Sequence, residues 1–593
     1  MNKGNSKFNF LASLRWSVLI CSLCLATFLK AQTTISFDDA TNPHYVDITV
    51  PIGKNFIYLE VKGGDGGWCF FDNDHSGGRG AMVTGYVEIG SDKVPVGSTI
   101  RFIPGKAGVS AHYNGGGGGG SAIAFKAPGS NWKLLMVAGG GGGAGRKYDG
   151  RQGDTDEGGS KGLDYYGHYI TNDGDNGNGG KNGNGGCGGG GSISDASCSL
   201  NSDCDIESGK MGMTNNEPTG NGGGAGANKW TGGGFGFGGG GSGMTGDTGD
   251  FAGGGGGGGY SGGGGGGDCG SGGGGGSYVN STYVSLGIKT ALGVTKSSQN
   301  GYATYEYVEE LPVKAIQFTY NTNKCIDDYG SSTSNGNNIQ TYSCTGNSNQ
   351  KWFFNPSDRT IRSMLNPLKC VDLSQSNTNN GTNIQLYDCN GSDAQHWVYN
   401  SLYKTIHSSI NSDKCFDAKD ASQAVNLNVN LQLWDCQYAN KNQKWDIDGA
   451  ATVSDVSNMK HIVPVIASGF AVHSHTGAES GSNIQLWTKD DTNTAEQWYF
   501  DGLAIKMRNA QNLCIDLSQS NTSNGNNIQL YNCNGSNAQK WIYDGMTQSI
   551  RSVVNPSKCM QIELNTDVAY GKRSNVEIYD CNGSDAQQFT IME

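Results

Sequence analysis

Long apolar runs are scarce in this chain. After the first thirty residues none reaches the roughly 20 residues that a membrane-spanning helix needs. Charge is also scarce: 16% of the residues are charged, with 41 Lys and Arg against 53 Asp and Glu, for a net charge of −12. A weakly charged acidic chain lacks the basic patches that bind phosphate backbones, so nucleic acid is excluded as a partner. No close CxxC pair has histidines nearby, as a zinc site would need, and His473-x-His475 shows no third ligand. No HExxH motif or nucleophile elbow is present, and no GK[ST] follows any glycine run, so catalytic and nucleotide-binding signatures are missing. The acidic stretch Asp173-Gly-Asp175-Asn-Gly-Asn178 lacks the full ligand set of a calcium loop and reads as a solvated turn. No cofactor and no metal are expected.

Repetition is what the chain has instead. Lys369–Trp397, KCVDLSQSNTNNGTNIQLYDCNGSDAQHW, returns almost letter for letter as Leu513–Trp541, LCIDLSQSNTSNGNNIQLYNCNGSNAQKW. Weaker copies flank both, giving six units closed by Trp352, Trp397, Trp445, Trp498, Trp541 and Phe589, at spacings of 45, 48, 53, 43 and 48 residues. Repetition at this period marks one supersecondary unit used many times. Each good unit opens on Cys-x-Asp, crosses a polar Asn/Ser/Gly loop, runs through an alternating segment such as Ile384-Gln385-Leu386-Tyr387 to a second Cys, and ends on Gln-x-Trp. Alternation with Asn-Gly turn chemistry predicts short strands and hairpins. The paired cysteines predict one local disulfide per unit: Cys325–Cys344, Cys370–Cys389, Cys415–Cys436, Cys514–Cys533 and Cys559–Cys581.

These motifs, in this order, resemble the ricin B-type lectin repeat, three of which build a β-trefoil. Six units imply two trefoils, over 313–449 and 459–593. The resemblance implies a shallow sugar pocket on each unit. There the Asp of Cys-x-Asp accepts from ring hydroxyls, the aromatic two residues before the second Cys stacks on the sugar's apolar face, and the polar residue before Gln-x-Trp donates to a hydroxyl. Carried over residue by residue, unit one keeps Asp327, Gln340, Tyr342 and Asn349, and unit three keeps Asp417, Gln432, Trp434 and Asn442. Units two and five keep Asp372, Gln385, Tyr387 and Asp516, Gln529, Tyr531, with Ala394 and Ala538 at the Asn position. Unit four has no cysteines and carries His473 for the aspartate; unit six carries Gln561 and Glu577 for the Asp and the strand Gln. Units four and six are therefore expected to be structural. The alternative for the other four is that the aspartate only forms a turn.

The first half reads differently. Met1–Ala31 has the pattern of a secretory signal: Lys3, Lys7 and Arg15, then the short apolar run Ser17–Leu29, with cleavage expected near Ala31/Gln32. Segments His44–Pro51, Asn55–Lys62, Ala81–Ile89, Thr99–Pro104, Trp132–Ala138 and Tyr302–Val308 predict strands. Between them, from Gly139 to Gly276, glycine dominates. The tract is very long, is bracketed by strands, and carries Trp230, Phe235, Phe237, Tyr260 and cysteines, which argues against a plain linker. VAGGGGGAG, GGFGFGGGG and GGGGGYSGGGGGGDCG resemble the glycine-rich domain of anaplastic-lymphoma-kinase-type receptors and of many microbial surface proteins. That resemblance implies a TNF-like β-sandwich over 32–310 with an inserted bundle of polyglycine-II helices. Cys69, Cys187, Cys198, Cys204 and Cys269 make an odd number in this half, leaving one without an internal partner.

The expected protein is thus all-β, secreted and not an enzyme. It binds glycans or polysaccharide at several sites, serves adhesion or matrix attachment, and can self-associate through the glycine-rich domain. Two alternatives remain: a self-assembling structural protein with trefoil spacers, and an accessory subunit of a polysaccharide-degrading system.

Overall fold

The computed structural model describes residues 32–39, 44–70, 74–170, 173–183, 185–197, 208–220, 230–244, 253–420, 428–451, 453, 460–563 and 573–592. The expected secretory signal, Cys198 and Cys204 lie outside them.

Two five-stranded antiparallel sheets form a β-sandwich in the first half. One runs Thr33–Ser36, Tyr302–Val308, Phe56–Lys62, Met82–Glu88, Val284–Thr290; the other runs Tyr278–Val279, Trp132–Ala138, Ser121–Lys126, Thr99–Ile103, Val46–Thr49. Each segment expected to be a strand contains one. Alternation decides which face is buried: Ile57, Leu59 and Val61 of one strand meet Ile100, Phe102 and Ile123 of the other sheet, whereas Tyr58 and Glu60 point away. The chain leaves this sandwich at Ala138 and returns beside the same strand, Tyr278 pairing with Val137.

The glycine tract between those points forms a bundle with a repeat of three residues. Segment 115–120, which precedes the tract and packs in the same bundle, shows it: successive N–H groups turn to three different neighbours and come back to each after three residues. Gly115 and Gly118 donate to Ala144 and Gly141, Gly116 and Gly119 to Val109 and Lys106, and Gly117 and Gly120 to Gly241 and Gly238. That is the geometry of a polyglycine-II helix, which has no internal hydrogen bonds and so offers every backbone group to its neighbours. Segments outside 139–276 join the same bundle, since Gly64 donates to Gly119 and Gly141 donates to Gly64. The packing leaves no room for side chains: a Cβ on Gly117 would sit 2.0 Å from the carbonyl oxygen of Gly256. Cys187 is disulfide-bonded, and the Cys69 thiol donates to the His112 carbonyl at 3.3 Å.

The second half is two β-trefoils of three units each, with separate cores around Trp352, Trp397 and Trp445 and around Trp498, Trp541 and Phe589. The closing tryptophan is the joint of each of the first five units. Its buried indole N–H donates to the carbonyl of the residue before the Cys-x-Asp aspartate: Trp352 to Ile326, Trp397 to Val371, Trp541 to Ile515, at 3.2, 2.9 and 3.0 Å. An indole places a large apolar body and one donor at the same spot, so the core is filled without orphaning that carbonyl. The five expected trefoil disulfides are all formed.

Candidate functional site

In each unit the Cys-x-Asp strand and the alternating strand pair antiparallel. In unit two Asp372 lies opposite Gln385 and Cys370 opposite Tyr387, which puts Asp372, Gln385 and Tyr387 on one face while Ile384 and Leu386 enter the core. The same register holds for Asp327 with Gln340, Asp417 with Gln432 and Asp516 with Gln529. All four aspartates stand within strand ladders, so none is a turn former.

At least two amides hold each carboxylate, and a third joins at Asp327. Gln385 Nε2 donates to Asp372 Oδ1 at 2.9 Å, and Gln395 Nε2, from the Gln-x-Trp motif, donates to Oδ2 at 3.0 Å. Gln395 is fully used elsewhere too: Nε2 also donates to the Asp388 carbonyl, and Oε1 accepts from the Asn390 N–H, both at 2.8 Å. It thereby ties the loop after the second Cys to the floor of the site. Gln350, Gln443 and Gln539 repeat this arrangement on Asp327, Asp417 and Asp516. The aspartates are nearly buried, at 3–6% exposure, whereas Tyr342, Tyr387, Trp434 and Tyr531 beside them are 37–43% exposed. The result is a shallow surface with an open aromatic face next to a fixed acceptor. Burial raises the Asp372 and Asp417 carboxyls above their ordinary range, against the two amide donors that favour ionisation.

A wall from the neighbouring unit flanks the sites of units two and three. The Gly381 N–H of unit two donates to the Leu433 carbonyl of unit three at 2.8 Å, and a Cβ at Gly381 would touch Trp434 and Gln432. Gly336 stands likewise at the site of unit two. Both glycines have φ above +80°, a backbone that other residues rarely adopt. A second recurring contact locks the units together: Lys369 Nζ donates to Asp388 and to Asn335 of the preceding unit, and Lys414 to Asp435 and Asn380. The sequence reading missed both features, although the recurrent Lys before Cys and Asn-Gly in the loop carry them.

The polar residue before Gln-x-Trp behaves differently in units one and three. Asn349, expected to donate to a sugar hydroxyl, here donates from Nδ2 to Asp327 Oδ2 at 2.7 Å. In unit three Asn442 is buried, and the amide approaching Asp417 is that of Asn440, at 3.4 Å. Unit three has one more residue between its second Cys and the motif Gln, and the extra residue reshapes that turn.

Units four and six show the same triad with its charge moved. In unit six Gln561 takes the aspartate position and accepts from Gln587 at 2.8 Å, while Glu577 stands where the strand Gln belongs and accepts from Gln561 at 3.1 Å. In unit four the acid is Glu496, at the Gln-x-Trp position; it accepts from the Asp490 N–H and from Asn493. His473 lies across from Gln485 and stacks on Trp487, with ring centroids 5.4 Å apart. Every unit therefore has one carboxylate among these three positions.

Residues 314–445 and 458–589 each match the family model described as the ricin-type beta-trefoil lectin domain. Among solved structures, the agglutinin from Abrus precatorius is 19% identical, with 48% of this chain and 97% of that chain covered and a TM-score of 0.21. A non-toxic homologue of type II RIPs from Momordica charantia (bitter gourd), in complex with α-methyl-D-galactoside, is 22% identical over 47% of this chain and 97% of that chain, with a TM-score of 0.21. The C-half of the earthworm R-type lectin, in complex with GalNAc, is 22% identical over 23% and 98%, with a TM-score of 0.19. No curated protein matches the chain. Its C-terminal half is a tandem pair of ricin-type β-trefoil lectin domains.

Proposed function

We propose that the protein is a secreted, multivalent carbohydrate-binding protein that attaches to extracellular polysaccharide or to a neighbouring cell. The observation that carries this reading is the fourfold recurrence of a carboxylate held by at least two amides under an exposed aromatic ring, at Asp327, Asp372, Asp417 and Asp516. A carboxylate has about four lone-pair positions, so acceptor capacity remains for sugar hydroxyls while the ring receives the C–H face. One shallow pocket of this kind binds at about millimolar strength, near −4 kcal/mol. Several on one chain raise the effective concentration toward a repetitive glycan. Each site has a single carboxylate, which suits binding; glycoside hydrolysis takes two carboxyl groups facing each other across the bond.

Five disulfides in the trefoils suit an oxidising compartment, and among the described residues no helix is long and apolar enough to cross a membrane. The sandwich with its polyglycine-II bundle, akin to the glycine-rich domain of anaplastic-lymphoma-kinase-type receptors, acts in this reading as a rigid scaffold that presents the trefoils. The test is a glycan array probed with the chain from Gln32 to Glu593 beside a variant carrying Asp327, Asp372, Asp417 and Asp516 as Ala. Binding by the wild type that the variant loses supports the reading and names the sugar class. A folded wild type that binds no glycan refutes it.

A further inference from the structure

The two trefoils meet about a pseudo-twofold axis. Trp397–Asn400 and Trp541–Asp544 hold equivalent places in units two and five and pair antiparallel, with Asn400 opposite Asp544. The contacts beside the axis are reciprocal: Ser401 donates to the Tyr543 carbonyl at 3.3 Å and Gly545 to the Tyr399 carbonyl at 3.2 Å. Residues near the axis thus have counterparts in the other trefoil, and three pairs differ in kind. Arg359 corresponds to Leu503, since each carbonyl accepts the N–H of the following closing tryptophan; Thr547 corresponds to Tyr403 and Arg551 to His407.

On one side the junction is filled. Leu503 is buried with Val398 and Ile542, and Tyr403 reaches across, its hydroxyl donating to the Phe500 carbonyl at 2.9 Å and accepting from the Gly502 N–H at 3.1 Å. On the other side Thr547 is too short to reach across, and a half-open cavity of about 90 Å³ remains between Trp397, Tyr399, Met546 and Arg359. The neighbouring arginines are committed: Arg551 to Asp544 at 2.8 Å and Arg362 to Asp358 at 2.6 Å. Arg359 is not. Its Nη2 donates to Ser557 Oγ at 3.1 Å, but Nη1 is buried without a hydrogen-bond partner, and no carboxylate among the described residues lies within ion-pair distance. Desolvation, and then the nearby Arg551, push this guanidinium down to about 10, against the opposing pull of Asp393, Asp358 and Asp544, the last of which also lines the cavity. A buried guanidinium N–H with no acceptor, beside a cavity whose symmetry mate is plugged by Tyr403, has the form of a recognition group awaiting an anion.

We propose that the inter-trefoil cavity is an anion-binding site in which Arg359 takes the carboxylate or sulfate of an acidic saccharide. The site shares no side chain with the four Asp-and-aromatic pockets, so it stands or falls separately from them. Thr360 and Thr547 line the same cavity and supply hydroxyls for the rest of the ligand. The test is calorimetric titration of the chain from Gln32 to Glu593 with glucuronate, with a neutral methyl glucoside, and with inorganic sulfate as the free-anion probe. Two variants copy the residues of the filled side, Arg359→Leu and Thr547→Tyr. Glucuronate is expected to bind at least tenfold more tightly than the glucoside, to lose at least tenfold in each variant, and to be unaffected in the quadruple aspartate variant. Sulfate bound as tightly as glucuronate, and lost in the same variants, supports the anion site and overturns its saccharide assignment. Absence of anion binding by the wild type, or binding by both variants equal to the wild type, overturns the proposal. Thr547→Tyr retains Arg359 and decides the matter if Arg359→Leu does not fold.

Discussion

The single carboxylate in each unit's triad yields a sharp expectation. Gln395→Glu places a second carboxylate where Gln395 Nε2 now stands, 3.0 Å from Asp372 Oδ2. Two like charges about 4 Å apart repel by about 4 kcal/mol at an effective dielectric constant of about 20. The site avoids this by keeping one proton. Holding a carboxyl of ordinary pKa near 4.3 protonated at pH 7 costs about 1.36 kcal/mol per pH unit, or about 3.5 kcal/mol. Both routes converge on a destabilisation of about 3–4 kcal/mol at pH 7. The pair's folded-state pKa is raised above its unfolded value, so the stability of the protonated state is fully present below about pH 4 and is lost as pH rises through the folded pKa. Denaturant unfolding followed by tryptophan fluorescence, with disulfides intact, should therefore show a penalty relative to wild type that is large at pH 7 and below about 1 kcal/mol near pH 4.5. Adding Asp372→Asn moves the one carboxylate to the position that Glu496 holds in unit four, and should recover at least half of the loss at pH 7. A penalty equal at both pH values, or a double variant no better than the single one, refutes the reasoning.

Three further outcomes follow from other contacts. Changing Tyr342, Tyr387, Trp434 and Tyr531 together to Ala should weaken glycan binding by about 0.5–1.5 kcal/mol per site in titration, with the melting temperature unchanged, because these rings are solvent-exposed. Gly257→Ala brings a Cβ to 2.2 Å from the Gly140 carbonyl oxygen and should unfold the glycine bundle, seen as new proteolytic cleavage in 139–276; Gly90→Ala, where the space is open, should be silent. Asp328 is fully buried at the position that Leu373 and Leu517 hold in units two and five, one oxygen lacks a partner, and burial pushes its carboxyl up to about 7. The wild type should therefore lose stability as pH rises through about 7, and Asp328→Leu should stabilise by about 1–4 kcal/mol above that pH and remove the dependence, measured by thermal melts from pH 5 to 9.

Much of the trefoil half was legible because its rules are local. A strand's period of two assigns Ile384 and Leu386 to the core and Gln385 and Tyr387 to the surface, and cysteines at opposite ends of one unit can meet only each other. The site departed from that reading where a neighbour intervened. Asn442 was expected to donate to a sugar hydroxyl, but an extra residue in the turn leaves it buried and brings the Asn440 amide toward Asp417. Ser121–Lys126 and Val284–Thr290 were not read as strands, since neither is marked by a long apolar run.

By itself the sequence determined the repeat, the strand faces, the trefoil disulfides and the identity of the aromatic and acidic residues in each unit, because hydrophobic period and short-range spacing act within about fifty residues. Tertiary structure alone decided how glycine segments far apart in the chain interleave with a period of three, and that a loop of unit one stands at the site of unit two and a loop of unit two at the site of unit three. It alone also decided that Arg359 faces a cavity where its counterpart Leu503 is packed. Those features depend on which backbones lie side by side, and a glycine run, a polar loop or a lone arginine carries no local signal of its neighbour.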